Sequence, residues 1–170
     1  EGLGCAAVDQ FGMAQKGGPV TSHVQIAQTP ADIKAVRLTS GGADLLLACD
    51  KLVAGGELAL GTIKPAATRV LVNTHEAITG QFTRDPDLKF PSDELAARLI
   101  AEAGRDHVEF IDATRMATSL MGDSIAANLF MLGYAWQQGL IPISAAAIEQ
   151  AIELNGIAVE ANKETFTWGR

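Results

Sequence analysis

Cysteine is scarce in this chain: Cys5 and Cys49 are the only two in 170 residues. Neither has a second Cys or a His at metal-ligand spacing, which excludes a structural zinc site. Both lie in apolar segments and are expected as buried free thiols, with exposure the alternative for Cys49 at the end of its segment. That usage fits a reducing cytoplasm. Basic clusters are missing as well. Thirteen Lys and Arg stand against 20 Asp and Glu, a net charge of −7. This removes the phosphate attraction on which nucleic-acid and anionic-membrane binding rest. The first residues lack the basic start and apolar run of a signal peptide. The chain begins without Met, at Glu1-Gly2-Leu3-Gly4, and is expected to be a piece of something longer. Charge is absent altogether from Ser124 to Ile148, yet Asn128, Gln137-Gln138-Gly139 and Pro142 break that run before it could cross a bilayer. A helix buried centrally or against another protein surface is expected there instead. No internal repeat, low-complexity segment or linker interrupts the chain.

What is present is an alternation of short apolar runs and helical stretches, 48% hydrophobic overall and long enough for a self-sufficient core. Cys5 to Asp9 is a short strand ending in an acid, and Val20 to Ala27 has the period-two pattern of a half-buried strand, with His23 on its more polar face. Ile33 to Ser40 is ambiguous, with an edge strand as one reading. Ala43 to Cys49 is apolar throughout and suits a central parallel strand. A helical stretch from Asp50 to Leu60, interrupted by Gly55-Gly56, connects it to a strand at Val70 to Val72. From Glu76 to Pro91 the pattern lapses into a long excursion of the kind that serves function or docks a partner. Ser92 is placed as the N-cap of a helix over Asp93 to Ala103, closed by Gly104. Val108 to Ile111 is the next strand. From Asp112 the chain is helical to its end, with helices at Ala113 to Leu120, within Ser124 to Ile148, from Ser144 to Leu154, and from Ile157 to about Phe166. The pattern predicts an α/β class: three layers, α/β/α, with a largely parallel sheet and a helical C-terminal third.

Several chemistries are excluded. Lys16-Gly17-Gly18-Pro19 lacks the glycine spacing of a dinucleotide or nucleoside-triphosphate loop and opens no helix. No Gly-x-Ser-x-Gly elbow is present, and His23, His75 and His107 are scattered, so a hydrolase triad is unsupported. Asp85-Pro86-Asp87 suits a turn better than a metal site. Two features remain. The stretch Gly12 to His23 places Lys16 beside the side-chain-free backbone of Gly17 and Gly18, a composition suited to holding an anion. The alternative is a long connection whose lysine points to water. The strands also end in Asp9-Gln10, Cys49-Asp50, Asn73-Thr74-His75 and Asp112-Ala113-Thr114. If parallel, they bring these groups to the carboxyl edge where open α/β sheets bind ligands. The alternative is that each simply caps a following helix.

The segments Gly12-Met13-Ala14-Gln15-Lys16-Gly17-Gly18-Pro19-Val20-Thr21-Ser22-His23, Asp44 to Asp50, Asn73-Thr74-His75-Glu76, Asp112-Ala113-Thr114-Arg115, Glu160-Ala161-Asn162-Lys163 and Trp168-Gly169-Arg170 closely resemble the gamma-type domain of 2-oxoacid:ferredoxin oxidoreductases. The nearest likeness is to the C-terminal part of the indolepyruvate enzymes. The resemblance runs the whole chain in order. It implies a single gamma-type domain over 1–170 that lacks the family's first strand and Gly-rich turn. It further implies part of a cytoplasmic enzyme that oxidatively decarboxylates an aryl 2-oxoacid, with coenzyme A and ferredoxin as acceptors. Thiamine diphosphate and the iron–sulfur clusters are then bound by partner domains or subunits and no cofactor by this domain alone. No catalytic residue falls in this chain, and the isolated fragment is expected to be inactive. Gln15, Lys16, Gly17 and Gly18 become the candidate loop toward coenzyme A or another anion, ferredoxin is an indirect partner, and a second copy is a candidate partner. Phe11 and Pro19 depart from the family's usual hydroxyl and small residues. A free-standing, non-catalytic nucleotide or acyl-coenzyme A binding module is the rival reading.

Overall fold

A computed structural model describes residues 2–11, 19–76 and 90–170. Its first unit is an antiparallel hairpin of β1 (Gly4–Phe11) and β2 (Val20–Ala27), with Phe11 opposite Val20 and Gly4 opposite Ala27. The period-two alternation holds, but the faces are inverted relative to a water-soluble expectation. Cys5, Ala7, Asp9, Phe11, Val20, Ser22 and Val24 are exposed, while Gln10, Thr21, His23 and Gln25 turn inward with Ala6 and Val8. The inward polar groups are used. Gln25 Nε2 donates to the Ala35 carbonyl (2.6 Å), and the Leu38 amide donates to His23 Nδ1 (3.0 Å). Because hairpin side chains satisfy these backbone groups, Ile33 to Ser40 forms no strand, and the edge-strand reading is corrected. Cys5 is exposed rather than buried for the same reason: it lies on the outward face.

The second sheet is parallel, in the order β3 (Leu45–Ala48), β4 (Arg69–Asn73), β5 (Val108–Ile111). Its connections and flanks are α1 (Lys51–Ala54), α2 (Glu57–Leu60), α3 (Ser92–Ala103), α4 (Ala113–Met121), α5 (Ala127–Gln137), α6 (Ala145–Asn155) and α7 (Val159–Gly169). Alternate residues point to opposite faces. Leu46, Ala48, Val70, Val72, Val108 and Phe110 pack with Ala54, Leu99 and Ala103 on one side. On the other, Leu45, Leu47, Leu71 and Ile111 pack with Ala113, Ala117, Phe130, Met131 and Ala135. The result is the expected α/β/α sandwich. The central strand, however, is β4, whose Val70, Leu71 and Val72 are fully buried; β3 lies at the edge among the described residues. Helices on both faces demand an apolar run whatever a strand's rank in the sheet, which is why Ala43 to Cys49 misleads about position. The predicted 50–60 helix is two single turns. Gly55 separates them and lets the chain approach α3, where an added Cβ would stand 2.4 Å from Leu95 Cδ2.

The helical third is held by close backbone contact. α5 crosses α7 at two glycines: a Cβ on Gly133 would meet the Phe166 carbonyl oxygen at 2.2 Å, and one on Gly169 would meet that of Phe130 at 2.1 Å. Trp136 and Phe166 meet edge to face, with centroids 6.1 Å apart, and the Arg170 guanidinium lies 4.4 Å above the Trp136 ring. Phe130, Met131 and Ala135 are thus buried within the chain, so the charge-free stretch finds its partner intramolecularly and Ile125 is the large apolar residue it leaves exposed. Among the described residues no helix is long and apolar enough to cross a membrane. Ser144 caps α6 as predicted, its side chain accepting from the Ala147 amide at 3.2 Å. Ser92 does not cap α3. Pro91 holds that position, and Ser92 Oγ accepts instead from the buried Lys51 ammonium at 2.5 Å.

Candidate functional site

The parallel order brings Cys49-Asp50, Asn73-Thr74-His75 and Asp112-Ala113-Thr114 to one carboxyl edge, and Asn73 ties them together. Its Nδ2 donates to the Cys49 carbonyl (3.2 Å) and to Thr114 Oγ1 (2.7 Å), while Oδ1 accepts from the amides of Thr114 (3.3 Å) and His75 (3.4 Å). Asn73 is only 3% exposed, so these bonds are made out of water's reach. Asp50 and Asp112 are consumed as caps. Asp50 accepts from Leu52 and Val53, and Asp112 from the Arg115 amide and, at 2.6 Å, from Arg115 Nε. That guanidinium holds the Asp112 carboxyl below the usual carboxylate range. Cys49 reaches the surface here, but burial of its surroundings pushes its thiol up, and the Asp50 carboxylate pushes it further. Lys51, 6% exposed, adds a cation 5.5 Å from the Phe110 ring centroid. Sequence patterning gave no sign of Lys51, because an ammonium buried under a hydroxyl and a ring has no linear signature.

Asp9 and Gln10 do not join this edge. They belong to the separate hairpin, because β1 pairs antiparallel with β2 and not with the parallel strands. Gln10 instead lines a groove of about 290 Å³ with His23, Arg37, Thr39, Ser40 and Glu57. The groove lies beside Thr39 to Gly42, which lead into β3, and Gly61 and Thr62, whose carbonyls accept from Gly41 and Ala43. It is therefore at the amino end of that strand. His23 Nδ1 accepts from Leu38, which leaves Nε2 to carry the proton of the neutral ring. The groove thus sets donors, the His23 Nε2–H, Gln10, Arg37 and the hydroxyls of Thr39 and Ser40, beside the Glu57 carboxylate. Gln15, Lys16, Gly17 and Gly18 lie outside the described residues, as does most of the 76–91 excursion. The flanks of the glycine loop are described: Phe11 and Val20 pair at the hairpin's end, one residue beyond Gln10.

The cofactors implied by the resemblance fit this chain unevenly. A four-thiolate cluster needs four cysteines, and the sequence has two, one in the hairpin and one beyond β3. Among the described residues no group of three or more His, Cys, Asp or Glu side chains could hold a metal ion.

The fold is a three-layer α/β domain whose carboxyl edge is tied together by one buried asparagine. Residues 1–170 match the family described as pyruvate ferredoxin/flavodoxin oxidoreductase, and the chain belongs to that family. It is 29% identical over 152 residues to the indolepyruvate oxidoreductase subunit IorB of Archaeoglobus fulgidus, spanning 89% of this chain and 70% of that protein. Its fold is that of the keto/oxoacid ferredoxin oxidoreductase gamma subunit from Geobacter sulfurreducens, with TM-score 0.60 and 18% identity, covering 99% of this chain and 79% of that one. The 2-oxoglutarate:ferredoxin oxidoreductase of Magnetococcus marinus, solved with 2-oxoglutarate, coenzyme A and succinyl-CoA, shares it too: TM-score 0.61, 17% identity, 99% of this chain and 25% of that one.

Proposed function

We propose that this chain is an accessory, gamma-type domain of a thiamine-diphosphate-dependent, indolepyruvate-type 2-oxoacid:ferredoxin oxidoreductase, in which it completes a site supplied by companion domains. The observation that carries the substrate class is the 29% identity to an indolepyruvate oxidoreductase subunit across 89% of the chain. Thiamine diphosphate supplies the carbanion chemistry in companion domains. This chain's own contribution is to bind. The Gln15–Gly18 loop offers backbone amides and the Lys16 ammonium to an anionic group, either a phosphate of coenzyme A or the carboxylate of the 2-oxoacid. The groove beside Gln10 places Arg37 and His23 near the root of the same loop, with Glu57 as the one acid among the described residues that line it.

Lys16→Ala in the complete enzyme tests it. The expected result is a raised KM for coenzyme A or for the 2-oxoacid, with the other constant and kcat little changed, because a cation that holds ground state and transition state alike acts on KM. Unchanged constants for both substrates would remove the role. Tight binding of ATP or acyl-coenzyme A by the chain without its companions would favour the rival binding module.

A further inference from the structure

The hairpin shows its apolar face to water. In register, Cys5 stands opposite Ile26, Ala7 opposite Val24, Asp9 opposite Ser22 and Phe11 opposite Val20, so these eight side chains share one face. Six of the eight are apolar. Phe11 is 73% exposed, Val20 55% and Val24 54%. The polar pair in the middle satisfies itself, Ser22 Oγ donating to Asp9 Oδ1 at 2.6 Å. A two-stranded hairpin is marginal in water unless a face is covered, and here the 30–40 segment covers the polar one. The bare face has the pattern of a protein contact.

We infer that this face docks on a companion domain of the same enzyme through an apolar surface carrying a Lys or Arg opposite Asp9. The inference rests on the accessory-domain reading above. Charge selects the partner: Asp9 is the one carboxylate among these eight side chains, it retains acceptor capacity beyond the Ser22 bond, and desolvating it calls for a cation. A second copy of this chain would bring a second carboxylate and a net charge of −7. Seven strand rises of about 3.4 Å by two strands give a face of roughly 240 Å². That is well short of the roughly 800 Å² per partner of a stable interface. The hairpin therefore adds to an association held elsewhere as well, as between domains of one assembly.

The complete oxidoreductase, with its companions, provides the test. Cys5 is a native reporter on this face. Its alkylation by N-ethylmaleimide, followed by peptide mass spectrometry, should slow at least tenfold on going from free chain to assembled enzyme. Val24→Asp and Asp9→Lys should each weaken assembly at least tenfold without lowering the chain's own melting temperature. Val36→Asp, equally exposed at 53% but in the segment beneath the opposite face, should not. Co-elution with Cys5 equally reactive in both states would overturn the docking face alone. Cys5 protection that grows with the concentration of free chain would overturn it in favour of a second copy, and Cys5 already protected in a free chain extended upstream of Glu1 would overturn it in favour of the chain's own preceding segment. A chain that never co-elutes with thiamine-binding companions would overturn both this inference and the proposed function.

Discussion

The crossing of α5 and α7 allows one substitution to be worked through. Gly133→Ala adds a Cβ 2.2 Å from the Phe166 carbonyl oxygen and 3.1 Å from Gly169 Cα, where ordinary contact begins near 3.4 Å. The obstacle is backbone on a buried helix and cannot rotate away as a side chain would, so the helices must part by about 1 Å, against contacts that fade over that range. Overpacking costs about 1–3 kcal/mol, and parting also loosens the fully buried Phe166; the better helix propensity of Ala returns up to about 1 kcal/mol. A net loss of about 1–3 kcal/mol lowers Tm by roughly 2–12 °C for a domain of this size. Trp136 reports the event directly, because Phe166 and Arg170 lie against its ring. In a Trp168→Phe background its fluorescence should shift in the folded state as well as on melting. Gly169→Ala strikes the same contact from the other helix, at 2.1 Å from Phe130 O. The double variant should then cost clearly less than the sum, because one separation accommodates both methyls. Strict additivity, or a Gly133→Ala protein as stable as the parent, would refute the packing described here.

Three further outcomes are expected. Asn73→Ala should cost about 2–4 kcal/mol by denaturant unfolding, and Asn73→Asp at least as much, since a carboxylate cannot donate to the Cys49 carbonyl; a neutral Asp variant would show that the donor is not needed. Cys49 should alkylate slowly at neutral pH and accelerate as pH rises past the ordinary thiol value of about 8.5. Asp50→Asn, which keeps a capping side chain, should speed it; no change or slower reaction would discount the carboxylate's effect. Asp112→Ala should cost about 1 kcal/mol through the lost cap and Arg115 contact. Because the folded carboxyl is lowered, that contribution is complete above the unfolded value near about 3.9 and disappears as pH falls through the folded value. A difference between parent and variant that persists in strong acid would contradict the assignment.

The layers were legible because periodicity reports which residues share a face. The runs at Val70 to Val72 and Val108 to Ile111, the helix before Gly104 and the capped ends at Asp50, Asp112 and Ser144 all follow from local chemistry. Periodicity does not report what covers a face. The alternation of Val20 to Ala27 was plain, yet only the Ala35 and Leu38 contacts reveal that the polar side is the covered one and that Cys5 is left outside. Nor does an apolar run disclose its place in a sheet, hence the edge position of β3. Gly133 and Gly169 stand 36 residues apart, so their contact is invisible until the helices are crossed. Of the candidate site, the carboxyl-edge cluster could be assembled from strand ends alone, whereas Arg37 and Lys51 depend on long-range folding and left no linear trace.

Asn73 has a mechanical consequence. A single buried amide bolts the exits of three strands together, so the starts of α1 and α4 and the chain leaving β4 form one stiff bracket rather than three independent hinges. The three exits share one buried amide, so a shift at Cys49 or Thr114 is opposed by the bonds that amide makes to the others.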